Sequence, residues 1–269
     1  SMFLLHPDGD LALARAAGQM GTIYWLSTMT RWLPEEVAAA ATGPLIFQLY
    51  WRGDHAWAEA LLRRVEAAGF RGIALTVDTA AYGRRERDIE KRYDPRGQGS
   101  RLWQGFPPPL QGDARMASLT WDDVDWLKRT TRLPLIVKGI QSVEDARLCV
   151  EHGVDCVYIS NHGGRQLDYA PAPIELVAEV AEAVAGRAEV VVDGGFQRGT
   201  DVLKALALGA RAVCIGKAAA WGLAAAGAEG AARVLELLHL ELRIAMANTG
   251  QTSVREVGPW LVRRACACE

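Results

Sequence analysis

The chain has 269 residues, of which half are hydrophobic and 23% charged, with a formal net charge of −2. That length suits one large domain with a substantial core, and the near-neutral balance argues against nucleic acid or an anionic membrane surface as partner. No run reaches the ~18 uncharged apolar residues of a membrane span, and the opening Pro7-Asp8-Gly9-Asp10 does not read as a secretory leader, so the expected location is the cytoplasm.

In chain order, a helical pattern over Gly9–Met20 is followed by a short apolar run, Ile23–Ser27, with the look of a strand. Helices are then predicted at Pro34–Ala41, Ala56–Ala68, Trp121–Thr130, Val143–His152, Pro173–Ala185 and Thr200–Leu208. Strands are predicted between them at Leu45–Tyr50, Gly72–Asp78, Leu133–Gly139, Cys156–Asn161, Glu189–Gly195 and Ala212–Lys217. Each run is short and rich in Val, Ile or Leu, as a parallel strand covered on both faces must be. Pro34 with its following acids, and Ser142-Val-Glu-Asp, read as helix starts. The last strand leads into Ala218–Ala225 and a long helix, Ala228–Asn248.

Repeated βα units with short joints indicate one α/β domain over 1–269. Polar residues cluster at the end of every strand, which favours a (β/α)8 TIM barrel over a doubly wound sheet with a single switch point. Only seven strands are found, so the expected fold is such a barrel lacking the N-terminal region and first strand. Residues 93–118 are rich in Gly, Pro and polar side chains and are expected to form a mobile cover over the active site. The five cysteines, Cys149, Cys156, Cys214, Cys266 and Cys268, lack zinc-like spacing; reduced thiols and no bound metal are expected.

The densest chemistry lies in Ser160-Asn-His-Gly-Gly-Arg-Gln-Leu-Asp168. His162 at a strand end can take a proton near neutral pH, and Arg165 can grip a carboxylate with two prongs. Taken alone, the block reads equally as a structural His–Asp turn. Asp78 ends the strand of Leu75-Thr-Val-Asp and is suited to orient that histidine; Arg85 in Gly83-Arg-Arg is a second carboxylate ligand, or part of a surface salt-bridge network. Lys138 sits inside the apolar run Leu135-Ile-Val-Lys-Gly139, where a lysine is expensive unless paired or used. Asp193-Gly-Gly195 and Gly216-Lys217 close two adjacent strands with turns that suit a phosphate. Gln48 and Tyr50 share a strand face, and Ser27 and Thr28 close the preceding strand.

In order, these pieces resemble the FMN-dependent α-hydroxy-acid oxidase and dehydrogenase family, which includes glycolate oxidase, lactate oxidase and mandelate dehydrogenase. The shared motifs run from His6-Pro-Asp-Gly through Leu26-Ser, Phe47-Gln-Leu-Tyr, Leu75-Thr-Val-Asp, Gly83-Arg-Arg-Glu and Val137-Lys-Gly. They continue with the His162 block, Asp193-Gly-Gly, Lys204-Ala-Leu-Ala-Leu-Gly-Ala and Ile215-Gly. The resemblance implies FMN-dependent oxidation of an L-2-hydroxy acid to a 2-keto acid. His162 would be the base, Asp78 its partner and Tyr50 a hydrogen bonder to substrate, with Arg165 and Arg85 on the carboxylate. Lys138 would sit near the flavin N1/O2 edge, and Ser27, Gln48, Thr76 and Ser160 around the ring. Asp193, Gly194, Gly195, Gly216 and Lys217 would hold ribityl and phosphate. A homo-oligomer, a tetramer by resemblance, is the expected assembly. Gln197 and Lys217 stand where the family usually has arginines, with Arg198 expected to compensate, and Met29 stands where glycolate oxidases carry tryptophan in the substrate pocket. The family usually has about 80 further N-terminal residues; the alternative expectation is therefore a truncated, weakly FMN-binding or inactive remnant that needs a partner.

Overall fold

The computed structural model describes residues 1–93, 102 and 114–263. Its seven strands are β1 Tyr24–Ser27, β2 Leu45–Leu49, β3 Ile73–Thr76, β4 Leu135–Ile140, β5 Cys156–Ile159, β6 Glu189–Val192 and β7 Ala212–Val213. The helices are α1 Gly9–Gln19, α2 Pro34–Ala40, α3 His55–Ala67, α4 Glu86–Glu90, α5 Trp121–Thr130, α6 Val143–Glu151, α7 Pro173–Val184, α8 Gly199–Ala207 and α9 Lys217–Asn248. Every predicted strand and helix is present, with ends that move by a residue or two; only the last strands stop markedly sooner than predicted. The short α4 is not among the predicted elements, because Glu86–Glu90 carries no apolar face. Helix α9 is two helical segments joined at a kink: Ala226 and Gly227 leave helical geometry, in agreement with the break expected between Ala225 and Ala228.

All seven strands are parallel and lie in chain order across one sheet, β1 to β7. A doubly wound sheet reverses its strand order at a switch point; this one never does, as a barrel requires. Among the described residues β1 pairs only with β2 and β7 only with β6, so the barrel is not closed by these strands. Helix α1, which precedes β1, packs on α9, which follows β7, through Ala12, Leu13, Ala16, Leu223, Ala231 and Ala232. Most of these side chains are alanines, so the two helices approach closely and link the two edges of the sheet.

Alternation along the strands separates two cores. Leu26, Phe47, Leu49, Leu75, Val137, Val157 and Val192 face outward into the main cluster shared with the helices. Trp25, Ile46, Ala74, Ile136, Tyr158, Val191 and Cys214 form a second cluster on the opposite, inner face. Two residues beyond each inner position lie Ser27, Gln48, Thr76, Lys138, Ser160, Asp193 and Gly216. A further step gives Tyr50, Asp78 and His162. The period of two therefore carries nearly all the candidate residues to the mouth of the barrel, above its apolar floor. No helix among the described residues is long and apolar enough to cross a membrane.

The expected cover at 93–118 falls largely outside the described residues. Its far end is anchored: residues 114–117 are helical, Met116 is buried, and Arg115 lies over the Trp51 ring at 4.5 Å while pairing with Asp123. Asp123 is also the N3 residue of α5 and caps Thr120, so a single carboxylate ties this segment to the helix start. Burial acts to raise the Asp123 carboxyl, but Arg115 and the Thr120 N–H outweigh it and hold it below the usual range. Cys266 and Cys268 lie outside the described residues; Cys149, Cys156 and Cys214 are free thiols, and burial pushes Cys149 and Cys214 up to about 12. No group of metal-ligating side chains occurs among the described residues.

Candidate active site

His162 is the centre of the site. Its Nδ1 lies 3.1 Å from Asp78 Oδ1, and its Nε2 lies 3.3 Å from the Tyr50 hydroxyl. The Asp78 side chain is 1% exposed and that of His162 11%. An ionised carboxylate only accepts hydrogen bonds, so Asp78 fixes the proton on Nδ1 and leaves the Nε2 lone pair toward the mouth. The backbone of His162 is left-handed, with φ of 57°, which costs a non-glycine residue about 1–3 kcal/mol. Neighbours hold it there. The His162 N–H donates to Ser160 Oγ at 3.1 Å, and Arg165 Nε donates to the His162 carbonyl at 2.9 Å.

Asp78 reaches the histidine because β4 carries a bulge between Lys138 and Ile140, with Gly139 at φ of 111°. A Cβ on Gly139 would stand 2.6 Å from Asp78 Cβ and 2.8 Å from its backbone nitrogen. Gly139→Ala is therefore expected to cost about 2–4 kcal/mol, combining backbone strain with overpacking. Urea unfolding followed by circular dichroism checks this. A loss below about 0.5 kcal/mol, which a surface substitution would show, would contradict the tight approach.

A second clamp joins the same two loops. Gln166 Nε2 donates to the carbonyls of Asp78 and Ala81, at 3.3 and 2.9 Å, and its Oε1 accepts from the Gly83 N–H at 3.4 Å. The sequence motif contains Gln166 but gives no sign that its side chain grips the Asp78 backbone.

Lys138 Nζ donates to Ser160 Oγ at 2.8 Å and stands 3.6 Å from Asp193 Oδ2 and 4.0 Å from Asp78 Oδ2. This answers the problem of a lysine in an apolar strand: its head lies between two carboxylates at the mouth. Two buried oxygens here, Asp78 Oδ2 and Asp193 Oδ1, have no hydrogen-bond partner among the described residues. Buried polar atoms are seldom left so, and both mark places where a ligand would complete the network.

Ser27, Gln48 and Thr76 close three adjacent strands in one row. Ser27 Oγ donates to Gln48 Oε1 at 2.6 Å, and Gln48 Nε2 donates to Thr76 Oγ1 at 2.7 Å. Thr28 ties β1 to β2 instead, donating to the Gln48 carbonyl and accepting from the Tyr50 N–H. Met29 follows, partly buried, with its N–H on Ser27 Oγ. Burial first, and then Asp78, push the Tyr50 phenol well above its ordinary value, so it stays a hydrogen-bond donor.

Two guanidiniums flank the mouth. Arg85 lies over the Tyr82 ring at 4.3 Å, and its buried Nε has no hydrogen-bond partner among the described residues. Arg165 is exposed as a residue, yet enclosure of its guanidinium, followed by the positive charge of Arg85, pulls its pKa below the ordinary value. Two like charges converging on one opening are relieved by an anion.

At the far end, Gly194 and Gly195 have φ of 100° and 85°, and a Cβ on Gly195 or Gly216 would meet nothing within 4 Å among the described residues. Gly216 is the N-cap of α9, and the first intrahelical bond runs from Ala220 to Gly216, so the N–H groups of the first turn are available to an anion. Lys217 Nζ, which donates to the Gly163 carbonyl at 3.1 Å, adds a positive charge nearby. Arg198 departs from expectation. It forms a two-pronged pair with Glu241 of α9, at 3.0 and 2.9 Å, rather than serving this end of the site. The Gly199 N–H and then Arg198 hold the Glu241 carboxyl below its usual range.

A family model described as FMN-dependent dehydrogenase matches residues 2–264. The chain belongs to this family. It is 45% identical to glycolate oxidase 3 of Arabidopsis thaliana over 267 residues, covering 94% of this chain and 73% of the plant enzyme. It is 44% identical to glycolate oxidase of Spinacia oleracea, covering 94% of this chain and 72% of that protein. Among solved structures, mandelate oxidase with (S)-2-phenylpropionate superposes with a TM-score of 0.86 at 42% identity, over 95% of this chain and 73% of that one. Mandelate oxidase with benzoyl-formic acid gives a TM-score of 0.87 at 42% identity, over 95% of this chain and 73% of that one. These relatives confirm the barrel class and FMN as the cofactor of this FMN-dependent dehydrogenase.

The residues present fit FMN. A row of amide and hydroxyl groups at Ser27, Gln48 and Thr76 suits the polar edge of a flavin ring, and Lys138 suits an edge that gains negative charge. The unsatisfied Asp193 Oδ1 suits a ribityl hydroxyl. The glycine turns and the α9 N-terminus suit a phosphate dianion.

Proposed function

We propose that this FMN-dependent dehydrogenase oxidises a 2-hydroxy acid to the corresponding 2-keto acid, with His162 as base. One observation carries the reading: His162 Nε2 faces the mouth with Asp78 behind it and Arg165 bonded to its backbone, and the charge of Arg85 is close enough to act on Arg165. The names of the relatives, glycolate and mandelate oxidases, support the same substrate class. FMN, when bound, supplies the two-electron sink that no side chain here can provide.

The protein's own groups do the rest. Arg165 and Arg85 hold the substrate carboxylate, and Tyr50 donates a hydrogen bond to substrate, so the reacting carbon is presented in one orientation. His162 Nε2 accepts the proton released as the substrate is oxidised, and Asp78 stabilises the imidazolium that results. Lys138 places a positive charge at the cofactor end of the cavity, where negative charge accumulates.

The carboxylate grip is tested by pairing substrate and protein changes. Arg165→Met is expected to raise KM for a 2-hydroxy acid by about 30-fold or more, as loss of one partner of a desolvated charge pair does. For the neutral amide of the same acid the loss should be clearly smaller, limited to what the missing Arg165 Nε–His162 carbonyl hydrogen bond costs. An equal loss for acid and amide would show that Arg165 supports the fold and does not bind the carboxylate.

A further inference from the structure

The inner face of the barrel carries Tyr158, a large side chain with a polar tip, beneath the cofactor end of the site. Tyr158 lies on β5 two residues before Ser160, among Ile46, Ala74, Ile136 and Val191. It is 3% exposed, and its ring meets the Trp25 ring edge-on at 5.1 Å. Its hydroxyl donates to Asp193 Oδ2 at 3.1 Å, and Lys138 Nζ sits 5.0 Å from the centre of its ring. Tyr158 thus touches both charged groups of the cofactor end.

We propose that Tyr158 is a positioning residue for FMN: its hydroxyl holds Asp193 so that Oδ1 is presented to the ribityl chain and Oδ2 is kept from closing on Lys138. This rests on the FMN reading above. The phenol and the ammonium compete for one oxygen. Lys138 stops 3.6 Å short of Asp193 Oδ2, beyond a hydrogen bond, and donates to Ser160 instead. The other oxygen, Oδ1, is buried without a hydrogen-bond partner among the described residues, although a carboxylate that could rotate freely would satisfy itself. Burial first, then Cys214 and Asp193, keep the phenol protonated far above its ordinary value, so it always donates. The ring face beside Lys138 helps keep the ammonium at its present station. Without the hydroxyl, the existing Lys138–Asp193 ion pair closes from 3.6 Å to a direct hydrogen bond. Oδ1 then turns from its line, and the positive charge offered to the cofactor weakens.

The test is a double-mutant cycle of Tyr158→Phe and Asp193→Asn, read by FMN titration with fluorescence quenching and by the midpoint potential of bound FMN. Phenylalanine keeps the ring and its contact with Trp25, so a purely structural role would leave both readings unchanged. Tyr158→Phe is expected to weaken FMN binding about tenfold, the scale of a hydrogen bond to a charged group, and to lower the midpoint potential. In the Asp193→Asn background the same change should alter the dissociation constant by less than about twofold, because the coupled partner is gone. FMN binding and potential unchanged in Tyr158→Phe, or equal effects in both backgrounds, would overturn the proposal and leave the cofactor assignment standing. A wild-type chain that binds no FMN would instead overturn the cofactor assignment itself, and this inference with it.

Discussion

His162→Ala is expected to lower kcat/KM for a 2-hydroxy acid by about 10²–10⁴-fold, the usual contribution of a positioned general base, while FMN stays bound. Nothing in the row Ser27–Gln48–Thr76, nor at Lys138, Asp193 or the α9 N-terminus, depends on the imidazole for a hydrogen bond. The ring instead meets Asp78 and Tyr50, on the substrate side. Steady-state rates and the flavin content of the purified variant are the two readouts. A variant that retains flavin and turns over within a few-fold of wild type would remove His162 from the chemistry. A variant that loses flavin altogether would show that the side chain organises the cofactor, a role its contacts do not indicate.

Asp78→Asn should come close to the same loss, about 10²–10⁴-fold in kcat, with little change in overall fold. The amide is nearly the same size but can present an N–H to Nδ1. The ring proton then moves to Nε2, where the lone pair is needed. The imidazolium formed during turnover also loses the buried negative charge 3.1 Å away. A neutral residue here further leaves Lys138 facing Asp193 alone. Anaerobic stopped-flow reduction separates this from a binding defect: the limiting rate of flavin bleaching should fall while the substrate concentration at half-maximal rate changes little. If Asp78→Asn bleaches within about threefold of wild type, the carboxylate neither orients nor stabilises the histidine.

The strand ends were legible because the chemistry and the period of two agree. Gln48 and Tyr50 flank Leu49, and this spacing alone puts both on one face; the same parity carries Asp78 and His162 to the same mouth. What the sequence could not show was set by contacts between distant segments. The bulge at Gly139 matters because Asp78, 61 positions earlier, lies against it. Arg198 reads as a cation near a phosphate, but Glu241 arrives from α9 to take it. The hydroxyl of Tyr158 finds Asp193 on the neighbouring strand end, and its identity as an aromatic in an apolar strand suggests only packing. His162 is left-handed although nothing in its residue type requires it; the glycines behind it hint at a tight turn without naming which residue bears the strain.

The most direct measurement is the visible spectrum of the purified chain, reconstituted with FMN and freed of oxygen, before and after a panel of 2-hydroxy acids. The flavin absorption band should be present at one FMN per chain and should bleach with at least one 2-hydroxy acid, yielding the 2-keto acid in equal amount. A fully loaded protein whose flavin stays oxidised with every 2-hydroxy acid, His162 and Asp78 being intact, would contradict the account.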